Sequence, residues 1–544
     1  MPRPLKLLLV LASLLALTPD LRPASVSSAD EAAAYLNVVP ATNPYRDVLL
    51  RLNALSPEDR DLVKNWAKQS AASSTATAST AAQSAPQLSA AQLTLVRELA
   101  AATVAAASKP ALSAADWPLI PNPAEPDNPA AIALPAVGLS RELALLTVKA
   151  AESLPPGEAV AAYAAAAQLG RQQRAGVTLV EQLTGTVIEA AAITAASKRL
   201  GEFSPEDLRQ LSSAWSALRP IPSNQDTFNG EREVFFKSIL ETNIRPGLHA
   251  MLAEALARES KESRAVSGEK SAPTTTSTAT TNEAETSPDP DTGFTRHLRL
   301  SGLIDYGDGE RRVCLEDHSK GTTLAIREGG TTEGIALVRI DFARRQALVR
   351  RGTREAIIDL ESKRITELPP AIDRLRRLFA SYEAAFTTQD KIEPDTLEKF
   401  FARARRHPGG IDGYLDELIA TYDRTLNKHL ADADLAHPSP PDPSAAPLDP
   451  FLAVSLSSFG PMARRVNAAA TQPVILQAAI QHRLTQLDPS SSATPPADPW
   501  AKDGSSFAIE KTPDGGFLLR SRYEVRADKP LTYKFAAPDA GFVR

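Results

Sequence analysis

Four stretches of this 544-residue chain cannot continue a helix or a strand, and they decide how many folded pieces it can have. "QSAASSTATASTAAQSAPQ" (69–87) is a Ser/Thr/Ala tract, and "SGEKSAPTTTSTATTNEAETSPDPDTG" (267–293) is poor in apolar residues. "AHPSPPDPSAAPLDP" (436–450) and "DPSSSATPPADP" (488–499) are Pro-rich. Proline lacks a backbone donor and favours extended chain, so neighbouring helices stop at these segments. A chain of this length also exceeds what one hydrophobic core ordinarily serves. The expected division is a signal peptide over 1–29, an Ala-rich helical domain over 30–262, a disordered linker over 263–293 and a small β domain over 294–365. A helical segment over 366–435, a Pro-rich linker over 436–450 and a helix plus β-hairpin over 451–544 complete it.

Helix-start chemistry marks the first domain. In "SPEDLRQLSSAWSAL", Ser204 suits the N-cap, Pro205 the first helical position, and Glu206 and Asp207 the positive end of the helix dipole. "SPEDRDLVKNWAK" at Ser56 repeats that grammar. Further helices are expected over 140–153, 157–170 and 175–201, separated by Pro155-Pro156-Gly157 and by Gly170. Short breaks between helices predict antiparallel hairpins of the kind found in solenoid arrays.

Between 298 and 360 the period changes to that of strands. "LRLSGLI", "RRVCLEDH", "TTLAIREG", "IALVRIDF", "QALVRRG" and "EAIIDL" are short β-rich runs separated by Gly-containing turns, which predicts an antiparallel sandwich or barrel. Helices return with one apolar face at Ile372, Leu375, Phe379, Tyr382 and Phe386, and another at Ile411, Leu415, Leu418 and Tyr422. Near the end, "SFAIEK" and "FLLRSR" read as two strands, 506–511 and 517–522, joined by Thr512-Pro513-Asp514-Gly515-Gly516, with Trp500 as the anchor beneath.

Arg3 and Lys6 precede the apolar run Leu7–Leu17, with Pro19 and the small residues Ser27 and Ala29 behind it. That run is too short for a stable span and predicts export, to the periplasm or outside the cell. The formal net charge of −5 gives no footprint of a nucleic-acid binder. With Cys314 as the only cysteine, no intrachain disulfide can form, and this residue reads as a small buried strand residue.

The chemistry-bearing patterns are sparse. The seven histidines form neither H-x-x-x-H nor H-E-x-x-H, and no nucleophile elbow, phosphate loop or dinucleotide fingerprint is present. Asp305, Asp308 and Glu310 in "DYGDGERR" lack the alternate-position oxygens of an EF-hand and read as a hairpin. Asp416 and Glu417 are neighbours on a helix and diverge, Asp503 and Asp514 sit in turns, and "RARRH" (403–407) closes a helix. No catalytic, cofactor-binding or metal residue is assigned, and no cofactor is expected.

Three partial resemblances converge on the cell envelope. "DEAAAYLNVVP", "DWPLIPNPAEPDN", "LSRELALLTVKAAE", "LVEQLTGTVIEAA", "SPEDLRQL" and "GEREVFFKSIL" occur in an order that resembles an uncharacterised exported helical family of planctomycetes and verrucomicrobia. The final segment, "MARRVNAAATQPVILQAAIQHRLTQL" followed by Asp498-Pro499-Trp500 and a hairpin, is similar to the globular part of major pseudopilins. It lacks their Gly/Asp-rich calcium loop and their polymerising N-terminal helix. The β module looks like the periplasmic domain of type II secretion clamp proteins, which bind a secretin partner through strand edges and loops.

The resulting expectation is an α+β multidomain chain, mainly α-helical hairpins with a small antiparallel β-sandwich or barrel and a C-terminal helix plus β-hairpin. Its expected role is that of an exported non-enzymatic scaffold or interaction protein linked to a type II secretion or pilus-like envelope assembly, with a secretin-like envelope protein as partner. Two alternatives stand beside it. One is an exported hydrolase or carbohydrate-handling protein with dispersed carboxylates, which requires a deep pocket, two converging acids and a shifted pKa. The other is a calcium-dependent C-terminal module.

Overall fold

The computed structural model describes residues 29–72, 88–109, 117, 120–121, 132–176, 178–266, 293–307, 310–342, 345–352, 354–360, 363, 365–386, 396–439, 448–456, 459–488, 494–513 and 515–535. The signal segment and most of the four polar stretches therefore lie outside the described residues, as do Asp308 and Asp514 and the side chains of Tyr382 and Phe386. The fold is α+β, mainly helical, with small antiparallel sheets.

The helices are α1 (Ala29–Val38), α2 (Arg46–Asn53), α3 (Pro57–Ala72), α4 (Ala90–Ala107), α5 (Pro135–Ala151), α6 (Pro156–Gln173), α7 (Leu179–Lys198), α8 (Pro205–Ser216) and α9 (Asn224–Glu231). A two-stranded ribbon, β1 (Ile120–Pro121) with β2 (Ile132–Ala133), lies between α4 and α5. Their starts follow from local chemistry. Ser204 accepts from the Asp207 N–H at 3.1 Å while Asp207 accepts from the Ser204 N–H at 3.0 Å, and Pro205 opens the helix. Ser56 accepts from the Asp59 N–H at 3.1 Å in the same way.

Gly170 does not separate two helices, because α6 runs through it to Gln173. A Cβ built on Gly170 would lie 2.8 Å from the Gly185 carbonyl oxygen and 3.0 Å from the Glu189 nitrogen. The glycine lets two backbones approach where α6 and α7 cross, and that need outweighs its poor helix propensity.

From α9 the chain stays helical through two π-helical segments, Arg232–Lys237 and Leu240–Ile244, into α10 (Arg245–Val266). Pro246 has no N–H to offer the Thr242 carbonyl four residues back, and Arg374 Nη2 donates to that carbonyl at 2.9 Å instead. Between α10 and α11 (Ala371–Phe386), which pack on each other, sits the β module.

The module is a meander of β3 (Leu298–Asp305), β4 (Arg311–Asp317), β5 (Thr322–Arg327), β6 (Thr331–Thr332), β7 (Ile335–Asp341), β8 (Gln346–Arg351), β9 (Arg354–Asp359) and β10 (Ile365–Glu367). Sheets of order β3-β4-β5 and β10-β9-β8-β7-β6 share one core that includes Leu300, Val313, Leu315, Ile326, Leu337 and Ile358. Alternation decides which residues enter it: Val313, Leu315 and Asp317 of β4 are buried, and the residues between them are less so. Cys314 is consequently half-buried on the outer side of its strand rather than in the core.

Helices α12 (Leu397–Arg406), α13 (Gly410–Ala433), α14 (Pro450–Leu456) and α15 (Phe459–Leu487) follow, then β11 (Ala508–Lys511), β12 (Phe517–Arg526) and β13 (Lys529–Phe535). The C-terminal hairpin thus has a third strand, turned at Asp528 with φ +58°. Trp500 donates its indole N–H to Thr471 of α15 at 2.8 Å and lies against Tyr523 with ring centroids 4.2 Å apart.

Two helical cores are closed by segments distant in sequence. The first begins at Ala32 and is completed by Ile475, Leu476, Ile480, Phe507, Phe517 and Phe535. The second joins Leu179, Phe228 and Leu248 to Phe379, Phe400, Tyr422 and Phe459. Helix α15 contributes Phe459 and Met462 to one and Ile475 to Leu484 to the other, so it ties the two together.

Candidate functional site

The pattern Thr178-x-x-Glu181 is a capping box, and α7 begins there as that chemistry requires. Glu181 Oε2 accepts from the Thr178 N–H at 3.0 Å and its hydroxyl at 2.8 Å, and Thr178 Oγ1 accepts from the Glu181 N–H at 3.2 Å. A second carboxylate arrives from the end of α9: Glu231 Oε2 accepts from the Leu179 N–H at 2.9 Å. Both acids are buried.

Burial, helped by the nearby Glu181 charge, pushes the Glu231 carboxyl up to about 7, against the lowering effect of the Leu179 hydrogen bond. Helix polarity favours an anion at this end, but desolvation is the larger effect. The next residue, Arg232, reaches away from Glu231 to an ion pair with Asp423. Phe236 stacks on Tyr422 at 3.9 Å, and burial raises the Tyr422 phenol well above its ordinary value.

One face farther along the α6–α7 contact, Glu189 pairs with Arg171 at 2.6 Å and with Arg174 at 3.1 Å. Arg174 is 1% exposed, and its Nε and Nη2 have no hydrogen-bond partner among the described residues. Burial lowers its pKa from the usual guanidinium range. Arg171 also donates to the Arg219 carbonyl at 2.5 Å, which fixes the chain just after α8.

That segment forms one wall of a groove of about 560 Å3 between the ends of α4 and α8 and the middle of α6. Its walls are mostly methyl groups, from Ala161, Ala164, Ala165, Ala214 and Ala217 among others. Among the described residues Lys109 and Arg219 are its charged ones, and no described acid lines it. The converging carboxylates and the groove are therefore separate features: neither Glu181 nor Glu231 borders the groove.

The acids singled out in the sequence are scattered. Asp305 accepts from the Gly307 N–H at 2.9 Å and pairs with Arg311 at 3.3 Å, closing the β3–β4 hairpin, and Glu310 pairs with Arg312. Asp416 faces Arg245 at 3.3 Å, whereas Glu417 faces His407 at 2.9 Å, so the two diverge. Asp503 caps its own turn through the Ser505 N–H at 3.1 Å. Arg403 and Arg405 end α12 and pair with Asp449 at 3.1 Å and Glu259 at 2.7 Å. Among the described residues no group of three or more His, Cys, Asp or Glu could hold a metal ion.

Sequence reading missed Glu231 as a titrating group, although "GEREVFFKSIL" was visible as a motif. The Thr178 capping box was legible; that a second acid reaches the same helix end was not, because 52 residues separate Glu231 from Leu179.

No protein-family model matches this chain, and no curated protein or solved structure is significantly similar to it. Among the described residues no helix is long and apolar enough to cross a membrane.

Proposed function

We propose that this chain is an exported, non-enzymatic scaffold that docks proteins of an envelope or secretion-like assembly, a secretin-like protein among them. One contrast carries the reading. Its buried ionisable groups serve the fold, Glu231 and Glu181 capping α7 and Glu189 holding two arginines, while the groove facing outward is walled by alanine methyls. Shape and apolar contact, not bond chemistry, are what such a wall offers a partner. Lys109 is exposed at the end of α4, so the occupant we assign is a partner helix with small apolar residues and an acidic flank. The edge strand β11, exposed at all four residues, provides a second outward surface.

Filling the groove with Ala164→Trp, or reversing its charge with Lys109→Glu, should abolish capture of a specific envelope protein from envelope extracts. Capture unchanged in both variants, or recovery of only abundant non-specific proteins by the wild type, overturns the reading.

The hydrolase reading draws support from the convergence of Glu181 and Glu231 and from the Glu231 value of about 7. Its difficulty is access, since both acids are buried and the groove lies elsewhere. Turnover of a glycoside or ester that disappears in a folded Glu231→Gln variant would establish it.

A further inference from the structure

Arg174 sits at the C-cap of α6, and its side chain crosses to α7. Gly185 leaves the room it needs: a Cβ there would lie 2.6 Å from Arg174 Cγ and 2.8 Å from the Arg174 nitrogen. Nη1 donates to Glu189 Oε2 at 3.1 Å, while the other carboxylate oxygen, Oε1, accepts from Arg171 Nε at 2.6 Å. Each oxygen of Glu189 is thus engaged by one arginine. The Nε and Nη2 of Arg174 share one edge of the guanidinium, and neither has a hydrogen-bond partner among the described residues. Two parallel N–H groups on such an edge form the fork that matches two oxygens of a planar anion. We propose that this fork holds one small monovalent oxyanion, planar like formate or bicarbonate, as a buried ligand of the α6–α7 contact.

Charge balance points the same way. The side chains of Arg171, Arg174 and Glu189 are 7%, 1% and 2% exposed, and two guanidiniums against one carboxylate leave one positive charge in excess. Among the described residues Glu189 is the acid that acts on Arg174, and Arg171 is the opposing cation. The C-terminal end of α6 supplies about half a negative charge at most, which does not cancel the excess. A water molecule would satisfy the two N–H groups and leave the charge, whereas a monoanion satisfies both. A dianion would overshoot and carry a larger desolvation cost into the core.

This site is distinct from the alanine-walled groove, which Arg174 does not border. Arg171 links the two through its bond to the Arg219 carbonyl at 2.5 Å. Taking away Arg174 leaves Glu189 with Arg171, a balanced pair, so a change at 174 removes the fork and the excess charge together without orphaning an acid.

Thermal unfolding of the full chain in sodium formate, sodium bicarbonate and sodium chloride, at matched pH and ionic strength, tests this. Formate or bicarbonate should raise the wild-type unfolding temperature over chloride by about 2 °C or more, with a dependence that saturates, and Arg174→Met should abolish the rise. A response to either anion supports the site and tells which source fits it. Equal wild-type temperatures in all three salts, or the same rise in Arg174→Met, overturns the proposal. Should that variant not fold, equilibrium dialysis of the wild type with radiolabelled formate and bicarbonate decides: saturable retention of one equivalent per chain supports the fork, and no retention sinks it.

Discussion

Gly170 and Gly185 meet backbone to backbone where α6 crosses α7: a Cβ on Gly170 would sit 2.8 Å from the Gly185 carbonyl oxygen. Real Cβ atoms do not approach backbone oxygen so closely, so the helices would have to separate. Gly170→Ala should therefore destabilise the protein by about 1–3 kcal/mol in urea unfolding. Gly138, exposed within α5, meets nothing within 4 Å, and Gly138→Ala should stabilise by about 0.5–1 kcal/mol. The opposite signs distinguish packing from helix propensity.

A buried ion pair, Arg374 of α11 with Glu355 of β9, helps to hold the β module, and its side chains are 3% and 4% exposed. Glu355→Ala leaves the guanidinium buried with only the carbonyls of Pro369 and Thr242, and should cost about 3–5 kcal/mol. Replacing both partners, Arg374→Met with Glu355→Leu, should cost far less, since neither charge then needs solvation. Limited proteolysis near 371–386, compared between the two variants, measures the difference.

Cys314 lies on the outer face of β4, opposite Gly302, which presents no side chain to cover it. Its thiol should accept a maleimide in the absence of denaturant, to one equivalent per chain. Labelling that requires unfolding would place it in the core instead.

Buried phenols predict alkaline lability. Burial raises Tyr523 to about 12, and it raises Tyr35, Tyr45 and Tyr422 further. Each contributes stability that is intact below its unfolded value of 10.0 and lost as pH rises through the folded one. Thermal unfolding temperature should fall steeply above about pH 10, and Tyr523→Phe should soften the fall between about pH 10 and about pH 12.

Local features were legible in the chain itself. Six short β-rich runs between 298 and 360 became β3, β4, β5, β7, β8 and β9, because β-branched and apolar residues bounded by Gly-containing turns favour short strands. Ser56 and Ser204 start helices where their spacing to Asp59 and Asp207 demands. The apolar stripes at Ile372, Leu375 and Phe379 and at Ile411 to Tyr422 face a core.

Tertiary structure decided what those elements do to one another. A glycine in a helical run can mark an end or a crossing, and only the neighbour supplied by Gly185 makes Gly170 the latter. An acid in "GEREVFF" is solvated by default, and only its burial beside the start of α7, where it accepts from the Leu179 N–H, pushes the Glu231 carboxyl up to about 7. Sequence carries propensity and period, which are short-range. Desolvation and close approach depend on what arrives from hundreds of residues away, as α15 does when it closes both helical cores.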